Sequence, residues 1–144
     1  MILSQTAEHA LRAVLYVAGS EERGELIKVN EIADELRMPR NSLSKILHSL
    51  TRSGVLSSVR GPNGGFRLAI PAEQLSLARV VAPYDSVGQD RRCLLGRSRC
   101  TDDEACAAHD SWKSVSRQVG DFFHCTTVAD LMRETSEMSL RAIL

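Results

Sequence analysis

The chain has no apolar run of bilayer-spanning length, no basic segment ahead of its first apolar stretch and no small-residue cleavage signal. A membrane-spanning helix and a secretory leader are therefore not expected. A glycine-rich phosphate loop, a dinucleotide fingerprint, a nucleophile motif and a C-x-x-C pair are all missing. Nothing thus points to an enzyme or to a small-molecule substrate. Internal repeats and low-complexity segments are absent, aromatic residues make up only 4% of the 144 positions, and the formal net charge is zero. The 43% hydrophobic content is enough to fill the core of one domain of ordinary size. The expected compartment is the cytoplasm, where thiols stay reduced and clustered cysteines bind metal more often than they cross-link.

The zero net charge hides an uneven distribution. From Arg37 to Arg67 there are six basic residues (Arg37, Arg40, Lys45, Arg52, Arg60 and Arg67) and no aspartate or glutamate. A basic island inside an otherwise acidic chain is the electrostatic footprint of a polyanion-binding face.

The apolar periodicity shows what carries that island. Ala7, Ala10, Leu11, Val14, Leu15 and Ala18 line one face of a first helix, which the polar break "GSEERGE" follows. Ile32, Ala33 and Leu36 predict a second helix stopped by Pro39; Leu43, Ile46, Leu47 and Leu50 predict a third, with Gly54 just beyond its end. Two short helices joined by a tight turn form a helix-turn-helix. "VLSSVR" then alternates like a strand, "GPNGG" is dense in turn formers and "FRLAI" returns, with Gly64 and Gly65 expected to supply the φ > 0 conformations of a hairpin tip.

A helix-turn-helix followed at once by a basic hairpin is a winged helix, whose last helix enters the major groove while the wing reaches phosphates or the minor groove. The expected partner is a double-stranded DNA operator. Arg40, Asn41, Ser42, Ser44 and Lys45 are the expected contacts on the reading helix, with Arg60, Gly61, Asn63 and Arg67 on the wing. Arg and Asn can make bidentate bonds to guanine and adenine edges, whereas Lys and Ser more often hold phosphate. A short connecting helix is expected over 76–82.

Cys93, Cys100, Cys106 and His109 follow within seventeen positions. Thr101 and Glu104 match a capping box and predict a helix starting near Asp102, which would set Cys106 and His109 on one face and favour the Cys106 thiolate. The spacing C-x6-C-x5-C-x2-H lacks the close cysteine knuckle of structural zinc. It suits a larger iron–sulfur guest, while zinc and plain thiol chemistry stay open as alternatives. Trp112, Val115, Val119 and Phe122 follow the 3-4-3 spacing of a coiled-coil seam, which predicts a dimerisation helix. A last short helix, "TVADLMRE", is expected to fold back and cover part of it. Cys125 reads as a packed small residue, and His9, His48 and His124 as ordinary helix-surface or interface histidines.

The run "LSSVRGPNGGFRLA", with three cysteines in a loop before a long helix, resembles the IscR/NsrR-type (Rrf-two) family of bacterial transcriptional regulators. The likeness extends from "EHALRAVLYVA" to "FFHCTTVADL", nearly the whole chain. It implies a mainly α fold with a small β-hairpin wing: a winged helix over residues 1–82, a cysteine-bearing loop over 83–106, and a dimerisation helix with a C-terminal helix over 107–144. It also implies a homodimer that represses or activates genes through a two-iron or four-iron cluster, sensing redox state, nitric oxide or iron–sulfur status. By position, Cys93, Cys100 and Cys106 match the cluster cysteines, and His109 matches the histidine ligand of the iron–sulfur regulator branch. "RNSLSKI" is closer to the nitric-oxide-sensing branch, where an acidic residue on the first helix of the partner subunit is the remaining ligand; Glu8 stands at that place.

Overall fold

The structure, a computed structural model, describes residues 3–21, 26–87 and 93–137. Most of the expected break after the first helix, the end of the loop that follows residue 83 and the last residues of the C-terminal unit lie outside that range. Six α-helices and one hairpin are seen among the described residues: α1 (Gln5–Glu21), α2 (Val29–Leu36), α3 (Arg40–Arg52), β1 (Leu56–Val59), β2 (Gly65–Leu68), α4 (Leu77–Val81), α5 (His109–Cys125) and α6 (Val128–Glu137). A 3-10 turn, Ala72–Gln74, precedes α4. The expected class, mainly α with a small β-hairpin wing, is the one observed.

α1 is the hub. Its buried stripe is rich in alanine (Ala7, Ala10, Ala13 and Ala18, with Val14 and Val17), so neighbouring elements can pack close to its backbone. α2, α3, α4, α6 and β2 all pack on it. Ser4 starts the helix by accepting the Ala7 backbone N–H at 3.2 Å.

Both helices of the helix-turn-helix end in the same way. α2 stops at Leu36, three residues before Pro39, because Arg37 turns left-handed (φ 51°) while the N–H groups of Met38 and Arg37 reach back to the carbonyls of Ala33 and Asp34. At the end of α3, Gly54 takes φ +75°, and Val55 and Gly54 donate to Leu50 and Thr51. These are Schellman closures, which need one residue in the αL region; glycine takes it freely and arginine does not. Pro39 starts α3 rather than stopping α2: its carbonyl accepts the N–H groups of Ser42 and Leu43.

β1 and β2 pair antiparallel in the register Leu56↔Leu68, Ser57↔Arg67, Ser58↔Phe66 and Val59↔Gly65. Ile27, just ahead of α2, adds a short outer bridge through paired backbone bonds with Phe66 of 3.0 and 2.8 Å. The hairpin tip corrects one expectation. The positive φ falls on Gly61 (+110°), not on Gly64 or Gly65. Those two are small for another reason: a Cβ would lie 2.1 Å from the Val59 carbonyl oxygen at Gly64 and 2.7 Å from that of Ile27 at Gly65. Neighbouring backbone simply passes too close.

α4 is capped by Ser76, whose hydroxyl accepts the Arg79 N–H, and buries Leu77, Val80 and Val81. α5 packs against α4, with Phe123 entering the common core. Residues 75–77 and 126–128 are then clasped by backbone bonds, Leu77 N–H to Thr126 (3.0 Å) and Val128 N–H to Leu75 (2.9 Å). α6 packs on α1 and on the 3-10 turn, because Val128 and Leu131 continue the core beside α1.

The helix expected from Asp102 begins seven residues later, at His109. Residues 101–108 are turns and irregular backbone. The Glu104 carbonyl accepts a bond from Arg97, and Asp102 turns its carboxylate toward α5, so neither is free to nucleate a helix. Cys106 thus precedes the helix that carries His109 and does not share a face with it.

Candidate functional site

Two groups of side chains stand out. The first surrounds α3. Arg40, Asn41, Ser42 and Lys45 are exposed and Ser44 is half-buried, opposite the buried Leu43, Ile46, Leu47 and Leu50. On the wing, Arg60, Gly61, Asn63 and Arg67 are all exposed, with Arg67 Nε 3.4 Å from Ser57 Oγ across the hairpin.

A groove runs between α3 and the wing, with Lys28, Lys45, His48, Arg52 and Arg60 among its lining residues. Lys28, His48 and Arg52 are not among the expected DNA contacts. Lys45, His48 and Arg52 lie on one stripe of α3 at i, i+3 and i+7, a periodicity visible in the sequence; Lys28 has no local signal. A second groove, on the other side of Lys45, brings His9, Arg12 and Arg37 to the start of α3. The basic island is therefore a continuous surface joining the first helix, the reading helix and the wing.

The second group is the cysteine segment. Cys93 is 9% exposed, beside Cys106. The backbone N–H groups of Arg97 and Leu95 hold the Cys93 thiol below its ordinary pKa; burial opposes them, while the Arg97 charge and Cys106 add to the lowering. Gly96 closes this turn at φ +78°, with its N–H on the Cys93 carbonyl at 3.0 Å. Cys100 pairs instead with His109, Sγ to Nδ1 at 3.4 Å. His109 is 4% exposed, and its Nε2 lies 2.8 Å from Asp102 Oδ1. Lys113, one turn further along α5, donates to both oxygens of Asp102 at 2.7 and 2.9 Å. The hydrogen bond from Lys113, then that from His109, lowers the Asp102 pKa to about 2.

The four sequence-marked ligands thus stand as two pairs, Cys93 with Cys106 and Cys100 with His109. Among the described residues no three His, Cys, Asp or Glu side chains are grouped as a single metal ion would need. Chemically the residues suit an iron–sulfur cluster: three free thiols, one already biased toward the thiolate by backbone donors, and a buried imidazole whose far nitrogen is held by a carboxylate. Glu8 is exposed in the first turn of α1. Cys125, expected to be packed, is exposed at the end of α5, where the helix turns that position outward.

The expected seam on α5 divides. Val115 and Phe122 are 49% and 51% exposed, and Trp112 is half-buried. Val119 instead packs on the core of its own chain, beside the buried Gly120 and Phe123. Phe122 meets Phe123 edge-to-face, with centroids 5.4 Å apart. Among the described residues no helix is long and apolar enough to cross a membrane.

A helix-turn-helix with an exposed basic face and a basic wing defines a DNA-binding transcriptional regulator, and the comparisons agree. The chain belongs to the Rrf2 family of iron-dependent transcriptional regulators, whose profile matches residues 3–134. It is 37% identical over 134 residues to a protein of Aquifex aeolicus (strain VF5) described as an HTH-type transcriptional regulator, covering 92% of each chain. It is 26% identical over 140 residues to the HTH-type transcriptional regulator IscR of Vibrio campbellii, covering 97% of this chain and 82% of that one. In fold it is similar to CymR, the global cysteine regulator of B. subtilis, with a TM-score of 0.80 at 18% identity over 94% of this chain and 98% of that one. The family and these relatives are regulators, not enzymes.

Proposed function

We propose that the protein is a homodimeric transcriptional regulator whose affinity for an operator is set by an iron–sulfur cluster bound at Cys93, Cys100, Cys106 and His109. The observation that carries this reading is the gathering of those residues beside α5, with the Cys93 thiol lowered by backbone N–H groups. The iron dependence that describes the family supports it. Arg40, Asn41, Ser42, Ser44 and Lys45 read and hold DNA from α3, and Arg60, Gly61, Asn63 and Arg67 hold it from the wing. Trp112, Val115 and Phe122 form the dimer contact, for which the outward Val115 and Phe122 are available, while Val119 of the expected seam packs inward on its own chain. The working division is a DNA reader over residues 1–82, a sensing loop over 83–106 and a dimerising unit over 107–144. When bound, the cluster supplies a redox- and nitric-oxide-sensitive group of two or four irons whose loss frees the thiolates. The chain's own part is to hold those thiolates and the imidazole at the base of α5. Glu8, from the partner subunit, is the competing fourth ligand.

A second reading is favoured by the Cys100–His109 pair: a thiol-based or zinc-holding regulator with no cluster, in which the imidazole assists a reactive thiolate. Anaerobic purification, visible absorption, and iron and sulfide analysis separate the two. A brown protein with stoichiometric iron and sulfide, whose operator affinity changes when the cluster is removed, is expected. A colourless protein with zinc or bare thiols would replace the first reading with the second.

A further inference from the structure

His109 has two ring nitrogens, and only one of them faces the cysteines. Nδ1 lies 3.4 Å from Cys100 Sγ, while Nε2 lies 2.8 Å from a carboxylate oxygen of Asp102. A carboxylate can only accept, so in the neutral ring Nε2 carries the hydrogen and Nδ1 keeps its lone pair. The arrangement is braced. His109 and Lys113 stand at i, i+4 on α5, and Lys113 grips both oxygens of the same carboxylate. Asp102 reaches them from the turns that carry Cys100 and Cys106. The ring is 4% exposed, enclosed by its neighbours.

We propose that Asp102 and Lys113 are positioning residues that fix the tautomer and orientation of His109, so that Nδ1 and not Nε2 is the atom offered to the cluster. This rests on the reading of His109 as a ligand. Groups that hold the second nitrogen of a metal-bound histidine set its tautomer and basicity, and their loss costs about 10- to 100-fold in affinity. The two residues also tie the cysteine turns to the first turn of α5, so the ligand and its brace belong to one unit.

Two measurements test the proposal separately from the reading beneath it. In the cluster-free protein at about pH 8, above the ordinary imidazole range, long-range proton–nitrogen-15 correlation of the His109 ring reports the tautomer directly. The wild type is expected to carry its hydrogen on Nε2. Asp102→Ala is expected to lose that preference, Asp102→Glu to restore part of it, and Lys113→Ala to weaken it. Because the Asp102 side chain is 67% exposed, these variants should fold, which an unchanged melting curve checks. A wild-type ring with its hydrogen on Nδ1 overturns the proposal whatever the cluster does.

In reconstituted, reduced protein carrying histidine labelled at one nitrogen, pulsed electron paramagnetic resonance should find strong coupling with the Nδ1 label and weak coupling with the Nε2 label. Cluster loss in air should be roughly 10- to 100-fold faster in Asp102→Ala than in the wild type. Strong coupling to Nε2 overturns the assignment of the ligating atom. No histidine coupling at all overturns the ligand reading, and the inference with it, while the tautomer in the cluster-free protein stands as measured.

Discussion

Tyr84 donates its phenol hydrogen to the backbone carbonyl of Ile46 at 3.0 Å. Tyr84 lies where the chain leaves α4 for the cysteine segment, and Ile46 is in the middle of the reading helix, so this bond joins the two ends of the proposed signal. Asp85, the next residue, accepts the Ser4 N–H at 2.7 Å and ties the same segment to the start of α1.

Tyr84→Phe removes only the hydroxyl, and is expected to lower stability by about 1 kcal/mol in urea unfolding, the ordinary net value of one hydrogen bond. Burial raises the Tyr84 pKa above 10.0, against smaller lowering effects from Ser49 and Arg52. The proton is thus held more tightly in the folded state. Its contribution is complete below pH 10.0 and is lost as the pH climbs through the higher folded value. The wild type should therefore lose stability more steeply than Tyr84→Phe in that alkaline window; parallel curves would disprove the buried role.

Lys45 borders both basic grooves. Lys45→Ala should weaken binding to all DNA sequences alike and reduce the slope of log affinity against log salt by about 0.9, one phosphate's share. Arg60→Ala should also weaken binding sharply, since the wing steadies the reading helix. Titrations of operator and random DNA at several salt concentrations measure both, and an unchanged slope in both variants would remove this face from the interface.

Arg37 sits at φ 51°, which glycine adopts without the strain of a side chain. Arg37→Gly should raise stability by about 1 kcal/mol and at the same time weaken DNA binding by removing a charge from the α1–α3 groove. Thermal melting and DNA titration should move in opposite directions. A variant that loses both would show that the left-handed residue is not strained.

Val115 is half exposed on α5. Val115→Asp should leave the helical circular dichroism intact but split the dimer, because association would bury an unpaired carboxylate. Sedimentation is the check: a wild type that is already monomeric at micromolar concentration would refute the interface outright.

The fourth ligand separates His109 from Glu8. His109→Ala should lose or alter the visible spectrum of the cluster while Glu8→Ala keeps it. The reverse pattern would place the protein with the nitric-oxide-sensing branch, since a carboxylate is a harder and more easily displaced partner of iron–sulfur chemistry.

The winged helix was legible because its signals are local. The spacing of Leu43, Ile46, Leu47 and Leu50 makes one buried stripe, and the turn formers between two alternating runs make one hairpin. What was not legible depended on distant neighbours. Gly65 has the composition of a turn, but its size is dictated by the Ile27 backbone crossing the hairpin. Thr101 and Glu104 have the spacing of a helix start, yet Asp102 between them is held by His109 and Lys113, so turns win over the local preference. Val119 keeps the seam's rhythm but meets the chain's own core. The cysteines and His109 were marked by spacing as a set, whereas their division into two pairs is a property of the fold.

The clasp between residues 75–77 and 126–128 has a consequence for how such a chain can vary. Between its two arms, α4, Tyr84 and Asp85 stay docked on α1 and the reading helix, while the cysteine segment beyond them is an excursion that comes back at a fixed point. Lengthening an excursion of this kind costs little, about 0.6 kcal/mol for each doubling of a flexible loop. The stretch between Asp85 and α5 can therefore be rebuilt, extended or stripped of its cysteines without disturbing the register of the DNA reader, much as one instrument can be exchanged for another on the same mount.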